Sequence, residues 1–245
     1  MNSMFDSSGK IVTIVNGYDI DVDINDVLDF MGYSDEKPAS KRLFETAHEM
    51  RERCLDLVRP RSVYGVYEIR EVNGGGVHIG DAEFKGQILK RILSGSVVAA
   101  VAVGTVGGDI DDEIERLNSR GDTVSALILD TMGIVALMRA RISFLRELYD
   151  REAKPRGFST TPPYGPGQCN WEIGEQGELF TLVDAGSVGV GLTESYLMVP
   201  KKSVSGIIGL GPEGQTFDKT PCDICDRIDC PGRRMREMIG GLDGA

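Results

Sequence analysis

The chain has 245 residues, with 27 lysines and arginines against 38 aspartates and glutamates, which gives a net charge of −11. This acidic balance argues against nucleic-acid or anionic-membrane partners, because phosphate groups are bound by basic residues. The sequence contains no apolar run of the ~20 residues that a transmembrane helix needs, and its first residues lack the pattern of a signal peptide. We therefore expect a cytoplasmic globular protein.

The first part of the chain alternates between strand and helix patterns. Residues 10–15 and 18–22 flank Asn16-Gly17, a pair that favours a type I′ turn, and together they predict a β-hairpin. The other elements are assigned from hydrophobic periodicity. They are helices at 23–33, 38–58 and 81–93, a strand at 62–72, and a flexible loop or hairpin tip at 73–76.

The second part begins with a continuous apolar run at 96–103, which predicts a strand covered on both faces. Gly104–Gly108 then leads into a helix from Asp109, and a long amphipathic helix follows at 123–151. A loop rich in proline and glycine precedes the final elements, a helix at 172–183 and strands at 187–192 and 203–210. These patterns predict one α+β domain with a C-terminal appendage.

Glycine and histidine motifs of common enzymes give little support to a catalytic assignment. Gly209-Leu-Gly211-Pro-Glu-Gly214 has the G-x-G-x-x-G spacing of dinucleotide-binding proteins. That motif must be followed by a helix, however, and here Pro212 and a polar loop follow instead. The segment Gly104–Gly108 is interpreted as a turn, since aspartates already occupy the first turn of the helix after it. His48 and His78 are predicted to be surface residues.

The five cysteines fall into two groups. Cys54 lies on the apolar face of a predicted helix and is interpreted as a core residue. Cys222, Cys225 and Cys230 form a C-x2-C-x4-C pattern that suits thiolate coordination, with Cys169 as the fourth candidate ligand. Zinc and an iron–sulfur cluster both accept four thiolates, and a redox dithiol without metal is the alternative. We therefore divide the chain into a domain at 1–214 and a cysteine-rich tail at 215–245.

Four segments carry a resemblance to a known family. They are 163–171 (PYGPGQCNW), 175–180 (EQGELF), 191–200 (GLTESYLMVP) and 203–207 (SVSGI). In this order and spacing they resemble the activation domain of cobalamin-dependent methionine synthase, which binds S-adenosylmethionine, and especially its free-standing short relatives. Residues 26–33 and 129–133 resemble the same proteins more loosely.

The resemblance implies a fold and a function. The expected fold is a single α+β domain in which helices flank a bent antiparallel sheet. The expected activity is a methyltransferase-type activation step, in which the domain presents S-adenosylmethionine to a cobalamin held by a corrinoid-binding partner protein. Reduction of the oxidised corrinoid needs an electron donor such as flavodoxin or ferredoxin. The product is the remethylated, active partner, such as methionine synthase.

The resemblance also implies a ligand site. Gly165, Pro166 and Gly167 have little side-chain bulk, so their backbone can approach an adenosyl group closely. Glu194 can offset the positive charge of the ligand, or it can be a solvated or capping carboxylate. Tyr196 and Trp171 can line an apolar pocket, or they can be core aromatics.

Two positions of this chain depart from the family. The family loop reads R-x-x-P-G-Y, and this chain has Pro163 and Gln168 where the arginine and the tyrosine stand. Neither residue can supply the bidentate arginine–carboxylate pair, and Arg156 is the candidate replacement. The departure favours a second hypothesis, in which the chain is a non-methylating iron–sulfur redox adaptor or an interaction module for a corrinoid protein. A zinc-stabilised structural subunit is a third.

Overall fold

The structure is a computed structural model that describes residues 12–18, 20–71 and 76–225. Seven antiparallel strands form one sheet in the order β4-β3-β2-β5-β9-β6, and β1 also pairs with β2. The short strands β7 and β8 pair separately. The strands are β1 (Val12–Asn16), β2 (Arg61–Glu71), β3 (Val77–Ile79), β4 (Ala82–Phe84), β5 (Val98–Thr105), β6 (Phe158–Thr160), β7 (Gly191–Leu192), β8 (Met198–Val199) and β9 (Ser203–Pro212).

Helices cover both faces of the sheet, which confirms the predicted α+β class. Ser40 caps the second helix through a hydrogen bond from the Leu43 backbone N–H to its hydroxyl. The described helices are α1 (Ile24–Phe30), α2 (Lys41–Leu57), α3 (Gln87–Ile92), α4 (Asp109–Ser119), α5 (Thr123–Leu148), α6 (Gln176–Leu182) and α7 (Pro221–Ile224).

The predicted N-terminal hairpin is wrong. Strand β1 pairs with β2, with Val12 opposite Gly65 and Asn16 opposite Arg61, and residues 20–22 are not in a strand. The buried side chains of Ile20 and Val22 belong instead to the cluster under α1 and α2. The long strand β2 offers more pairing partners and more apolar burial than a local turn does, so tertiary pairing prevails over the Asn-Gly signal.

Two further assignments need correction. The predicted helix at 81–93 begins only at Gln87, because Ala82–Phe84 forms a strand against β3 and buries Ala82 and Phe84. The predicted strand at 187–192 is reduced to Gly191–Leu192, since residues 185–188 form a 3-10 turn that buries Val188. In both places a buried side chain in a short element decided the local structure.

The centre of the sheet is β5, whose eight residues are all buried. It lies between β2 and β9, with Val101 opposite Gly65 on one side and Ile207 on the other. Because successive residues point to opposite faces, β5 contributes to the core on both sides. The apolar run at 96–103 thus predicted this strand correctly.

Helix α5 joins two parts of the core. Its first half packs with α1, α2 and α4, and its second half packs on the sheet through Phe144 and Leu148. It is the one helix in the described ranges that is long and apolar enough to cross a membrane by length and composition. More than half of its most apolar stretch is buried inside the fold, as expected of a core helix.

The opposite face of the sheet is covered by α3, α6 and the loop around Trp171. Phe217 and Ile224, from the beginning of the predicted tail, also pack against this cluster. The described part of the tail, residues 215–225, is therefore in contact with the domain.

Candidate functional site

The loop Gly165–Gly167 is closed by hydrogen bonds within its own segment, and Tyr164 just before it exchanges backbone hydrogen bonds with Ile207 of β9. The Gly165 N–H donates to Oε1 of Gln168 (3.2 Å), and the Gly167 N–H donates to the Trp171 carbonyl (2.7 Å). A Cβ atom at Gly165 would lie 2.7 Å from the Ser205 carbonyl oxygen, so a larger residue would push the loop off the strand. Gly165 and Pro166 are buried, and Gly167 is exposed.

The next turn of this loop has an unusual backbone. Cys169 and Asn170 have φ values of 49° and 62°, a left-handed conformation that non-glycine residues adopt at a cost. Trp171 anchors the turn, because it is 2% exposed and its Nε1 donates to Oε2 of Glu175 at 2.7 Å. Trp171 is thus a core aromatic, one of the two alternatives that its sequence left open.

Strands β7 and β8 form a hairpin whose tip carries the L-T-E-S motif. The Thr193 N–H donates to the Leu197 carbonyl (2.9 Å), and the Leu197 N–H donates to the Thr193 hydroxyl (3.1 Å). Glu194 lies in the exposed turn between them. Tyr196 has a φ of 61° and is 43% exposed, so it presents part of its ring to solvent.

The loop and the hairpin meet at the beginning of the helical segment that starts at Ile173. A Cβ atom at Gly177 would lie 3.1 Å from the Tyr196 ring, and one at Gly167 would lie 3.2 Å from Cδ1 of Ile173. The structure therefore brings Gly167 and Tyr196 to the same segment. Gly165 and Pro166 lie beneath it against β9, and Glu194 lies beyond it at the hairpin tip.

A cleft on the other face of the sheet is the feature that the sequence analysis missed. It lies between α5 and the adjoining ends of β5 and β9, and it is narrow, with a cavity volume of about 30 Å³. Pro163, the residue at the position of the family arginine, lines this cleft together with Arg141 of α5. Two features of the sequence indicate this cleft. Ala102 and Gly104 are small residues two positions apart in β5, and Arg141 is a charged residue within the largely apolar α5.

Arg156, the candidate replacement for the family arginine, is engaged elsewhere. Its Nη1 lies 2.9 Å from Oε2 of Glu152. The same carboxylate accepts a hydrogen bond from the Tyr64 hydroxyl at 3.0 Å. Burial is the main reason why the pKa of Tyr64 rises to about 12. Arg156 therefore stabilises the helical turn Tyr149–Ala153, which follows α5, rather than the loop at 163–168.

Three of the four predicted metal ligands lie in the described part of the chain, and Cys230 lies outside it. Cys169, Cys222 and Cys225 are half-buried. Within residues 12–18, 20–71 and 76–225, no group of three or more histidine, cysteine, aspartate or glutamate side chains is arranged to hold a metal ion. Cys54 is fully buried in α2, as predicted, and burial raises its pKa to about 12.

Tyr164 lies between the loop and the tail. Its hydroxyl donates to the Lys219 carbonyl at 2.7 Å, and its ring is 6.5 Å from that of Phe217. Burial raises its pKa first, and negative charge at Cys169, Asp223 and Cys222 raises it further. Cys169 of the loop and Phe217 and Ile224 of the tail pack against the buried cluster that contains Tyr164.

The C-terminal part of the chain matches a known family. Residues 156–226 match the family model of the vitamin B12-dependent methionine synthase activation domain. This range contains the loop at 165–167, the β7–β8 hairpin and β9. The chain resembles this activation domain. The resemblance predicted from the four sequence segments is therefore confirmed.

A solved structure extends the resemblance to the fold of most of the chain. The crystal structure of the MetH reactivation domain bound to AdoHcy superposes with a TM-score of 0.56 and 16% sequence identity. The match covers 85% of this chain and 81% of that chain. At this identity the likeness shows a shared activation-domain fold. A sequence comparison with curated proteins gives no match.

Proposed function

We propose that this activation-domain-like chain takes part in the reductive reactivation of a corrinoid-dependent methyltransferase, such as a methionine synthase, with S-adenosylmethionine as the methyl donor. The observation that carries the proposal is the family match at 156–226. Within that one segment lie the glycine-containing loop, the exposed hairpin and the strand β9, which pairs with the central strand β5. The shared fold with a reactivation domain bound to AdoHcy supports the same conclusion.

The proposed reaction balances with one external electron. A flavodoxin- or ferredoxin-type donor reduces the partner's corrinoid substrate from cobalt(II) to cobalt(I). The S–CH₃ bond of S-adenosylmethionine then breaks as the Co–CH₃ bond forms, which leaves S-adenosylhomocysteine and the methylated corrinoid. The protein's part is to bind the methyl donor, to orient it and to present it to the partner.

Two features of the structure suit this role of binding the methyl donor and presenting it to the partner. The Gly165–Gly167 loop exposes the backbone of Gly167, and a bulky ligand can approach a glycine backbone closely. The hairpin places Glu194 and the half-exposed Tyr196 on the surface, where a partner protein can reach them. A carboxylate at this position also favours a cationic sulfonium ligand over a neutral one.

The first test is binding of S-adenosylmethionine, whose sulfonium group is cationic, to the purified full chain by calorimetry. We expect saturable binding that weakens in Glu194→Gln and is unchanged in Glu178→Gln, an exposed carboxylate on α6. A second assay adds a cob(II)alamin-loaded methyltransferase, a reductant and S-adenosylmethionine labelled in its methyl group. Transfer of the label to the corrinoid supports the proposal. Absence of both binding and transfer would contradict it.

A redox adaptor is the second candidate function. The observation that favours it is that Cys169 and the tail residues Phe217 and Ile224 pack against the same buried cluster of the domain. An iron–sulfur cluster or a zinc ion held by Cys169, Cys222, Cys225 and Cys230 would then be the active or stabilising element, and the chain would act on a corrinoid protein without methyl transfer.

Metal analysis and a visible spectrum of protein purified without oxygen test this second candidate. Iron together with a brown colour that is lost in Cys225→Ser supports an electron-delivering cluster. Colourless protein with one zinc per chain supports a structural site. Cys54→Ser is the matched control, because Cys54 is buried in α2 far from the tail in sequence and its loss leaves any bound metal in place. Metal-free protein contradicts both forms of the hypothesis.

A further inference from the structure

The outer side of α5 carries an apolar stripe that the described residues leave partly open to solvent. Val124 and Leu127 are more than half exposed, at 53% and 56%, and the later apolar members of the stripe are half-buried. The members recur in alternating steps of three and four residues and are Val124, Leu127, Thr131, Ile134, Met138, Arg141 and Leu145. A continuous apolar stripe on a surface indicates a contact with another element.

The spacing indicates that this other element is a helix. Alternating steps of three and four residues place side chains along the narrow seam at which two helices pack. The stripe is about 33 Å long at 1.5 Å per residue. Thr131 is short and only 4% exposed, so it leaves a hole between Leu127 and Ile134 into which a side chain of a facing helix fits.

The tail of the chain approaches the domain on the other face of the sheet. Phe217 and Ile224 pack against the cluster under α3 and α6, whereas α5 belongs to the clusters on the opposite side. More than half of the most apolar stretch of α5 is inside the fold, so its open part has the width of a helix contact rather than of a lipid-facing surface. These positions favour a separate helix as the occupant.

The stripe is complementary to itself when its direction is reversed. If two copies of α5 run antiparallel around a two-fold axis next to Ala136, Leu127 of one copy lies opposite Leu145 of the other. In the same register Ile134 lies opposite Met138. A two-fold axis repeats each contact, so this register gives four apolar layers in which every leucine, isoleucine and methionine of the seam faces another large apolar side chain.

The remaining layer fits the same register. Arg141, the one charged member of the described stripe, lies opposite Thr131, whose small side chain leaves room for the aliphatic stem of the arginine while the guanidinium stays at the rim. We infer that two copies of this chain associate through α5, antiparallel, around a two-fold axis next to Ala136. This inference goes beyond the proposed function and does not depend on it. One pair of helices gives an interface at the small end of specific complexes, so we expect micromolar affinity.

The first experiment measures the oligomeric state of the full chain. Sedimentation velocity from about 1 µM to about 200 µM should show a monomer that converts to a dimer as the concentration rises, as expected of a small interface. A chain that stays monomeric over the whole range would show that the same chain or a different protein covers the stripe, and it would overturn the inference.

The second experiment tests the register. Leu127→Glu and Leu145→Lys should each raise the dissociation constant of the dimer at least about tenfold, because a charge then faces an apolar layer. An equimolar mixture of the two variants should regain the dimer, since one layer then pairs the introduced carboxylate with the introduced ammonium and the other keeps its two leucines. Val97→Glu, at a 53% exposed side chain before β5, is the control and should dimerise as the unaltered chain does.

Each result of the register experiment decides. Recovery of the dimer in the mixture alone supports the antiparallel pairing. A dimer that persists in both single variants, or that is lost in them and does not return in the mixture, overturns it. Should Leu145→Lys not fold, as judged by circular dichroism, Ile134→Glu and Met138→Lys repeat the comparison in the neighbouring layer, with the same expected recovery and the same contrary results.

Discussion

Nζ of Lys202 lies 2.6 Å from Oδ1 of Asp130, and this ion pair joins the residue before β9 to the middle of α5. The Lys202 side chain is 8% exposed, and Oδ1 of Asp111 in α4 lies 3.7 Å from the same nitrogen. Gly133 makes room for the lysine, since a Cβ atom there would lie 3.0 Å from its Cε. One buried ammonium thus connects the sheet to two helices.

Loss of this ammonium should destabilise the fold. Lys202→Met keeps most of the side-chain volume but leaves the carboxylates of Asp111 and Asp130 without their cation. We expect the free energy of unfolding to fall by about 1–3 kcal/mol, because Asp111, whose side chain is 14% exposed, loses the cation that offsets its burial, whereas Asp130 at 42% exposed stays partly hydrated. Urea unfolding followed by circular dichroism measures the change. Lys201→Met, at an exposed side chain, is the control, and equal midpoints for the two variants would contradict the prediction.

Gly95 and Gly121 separate the effect of backbone conformation from that of close packing. Both have a positive φ, +76° and +81° respectively. A Cβ atom at Gly95 would lie 1.9 Å from the Gln215 carbonyl oxygen, and one at Gly121 would have no atom within 4 Å. Both alanine variants bear the left-handed penalty of about 1–2 kcal/mol, but Gly95→Ala must also displace the backbone at Gln215.

We therefore expect Gly95→Ala to be less stable than Gly121→Ala by about 1–3 kcal/mol, the range of overpacked sites. Thermal and urea unfolding of the two variants measure this difference. Equal losses of stability would contradict the prediction. They would show that the backbone at Gln215 can move away from a Cβ atom at position 95 without a further loss of free energy of unfolding.

Glu113 should make stability depend on pH in the acid range. Its carboxylate accepts hydrogen bonds from Arg116 and lies 2.7 Å from Nη2 of Arg53. The hydrogen bond from Arg116 is the main reason why its pKa lies below the ordinary value. A lowered folded-state pKa means that the stabilisation is complete above the unfolded pKa of about 4.3 and is lost as the pH falls through the folded value.

The variant Glu113→Gln should therefore be less stable than the unaltered chain at pH 7, and the difference should shrink as the pH is lowered below about 4. Melting temperatures measured from pH 7 to pH 3 test this. Glu115→Gln, an exposed neighbour on α4, should show no such convergence. A constant difference between Glu113→Gln and the unaltered chain at all pH values would be the contrary result.

Cys54 should be chemically inert in the folded protein. It is fully buried, and burial raises its pKa to about 12, whereas alkylation needs an accessible thiolate. Iodoacetamide at pH 8, with peptides analysed by mass spectrometry, should leave Cys54 unmodified in the native protein and modify it fully in urea. Modification at the same rate in both states would show that α2 opens readily.

Periodic patterns with enough length predicted their elements correctly. The helices from Lys41 and Thr123 and the strands from Arg61, Val98 and Ser203 all lie where hydrophobic spacing placed them. The errors are in short segments. The strand at 82–84 and the partner of β1 depend on pairing with residues distant in sequence, and a local pattern carries no information about such pairing.

The candidate site also contains residues that local sequence patterns indicated and residues that only the tertiary structure brings together. Motif order singled out Gly165–Gly167 and Glu194 as candidate ligand residues, which stay predictions, and the structure places the loop against β9 and the glutamate at an exposed turn. The cleft with Arg141 could not be derived in the same way. Its lining comes from β5, α5, β9 and the residue before the loop, and their approach results from packing across the sheet.

The sequence by itself determined the α+β class, the family resemblance, the buried central strand and the buried thiol of Cys54. These follow from composition, periodicity and motif order, which are properties of neighbouring residues along the chain. Only the tertiary structure decided which strand pairs with β1, that Trp171 belongs to the core, and that Arg156 is engaged by Glu152 while Arg141 lines the cleft with Pro163. Each of these depends on competition between distant side chains for the same space, hydrogen bond or charge, and only the folded chain brings those side chains together.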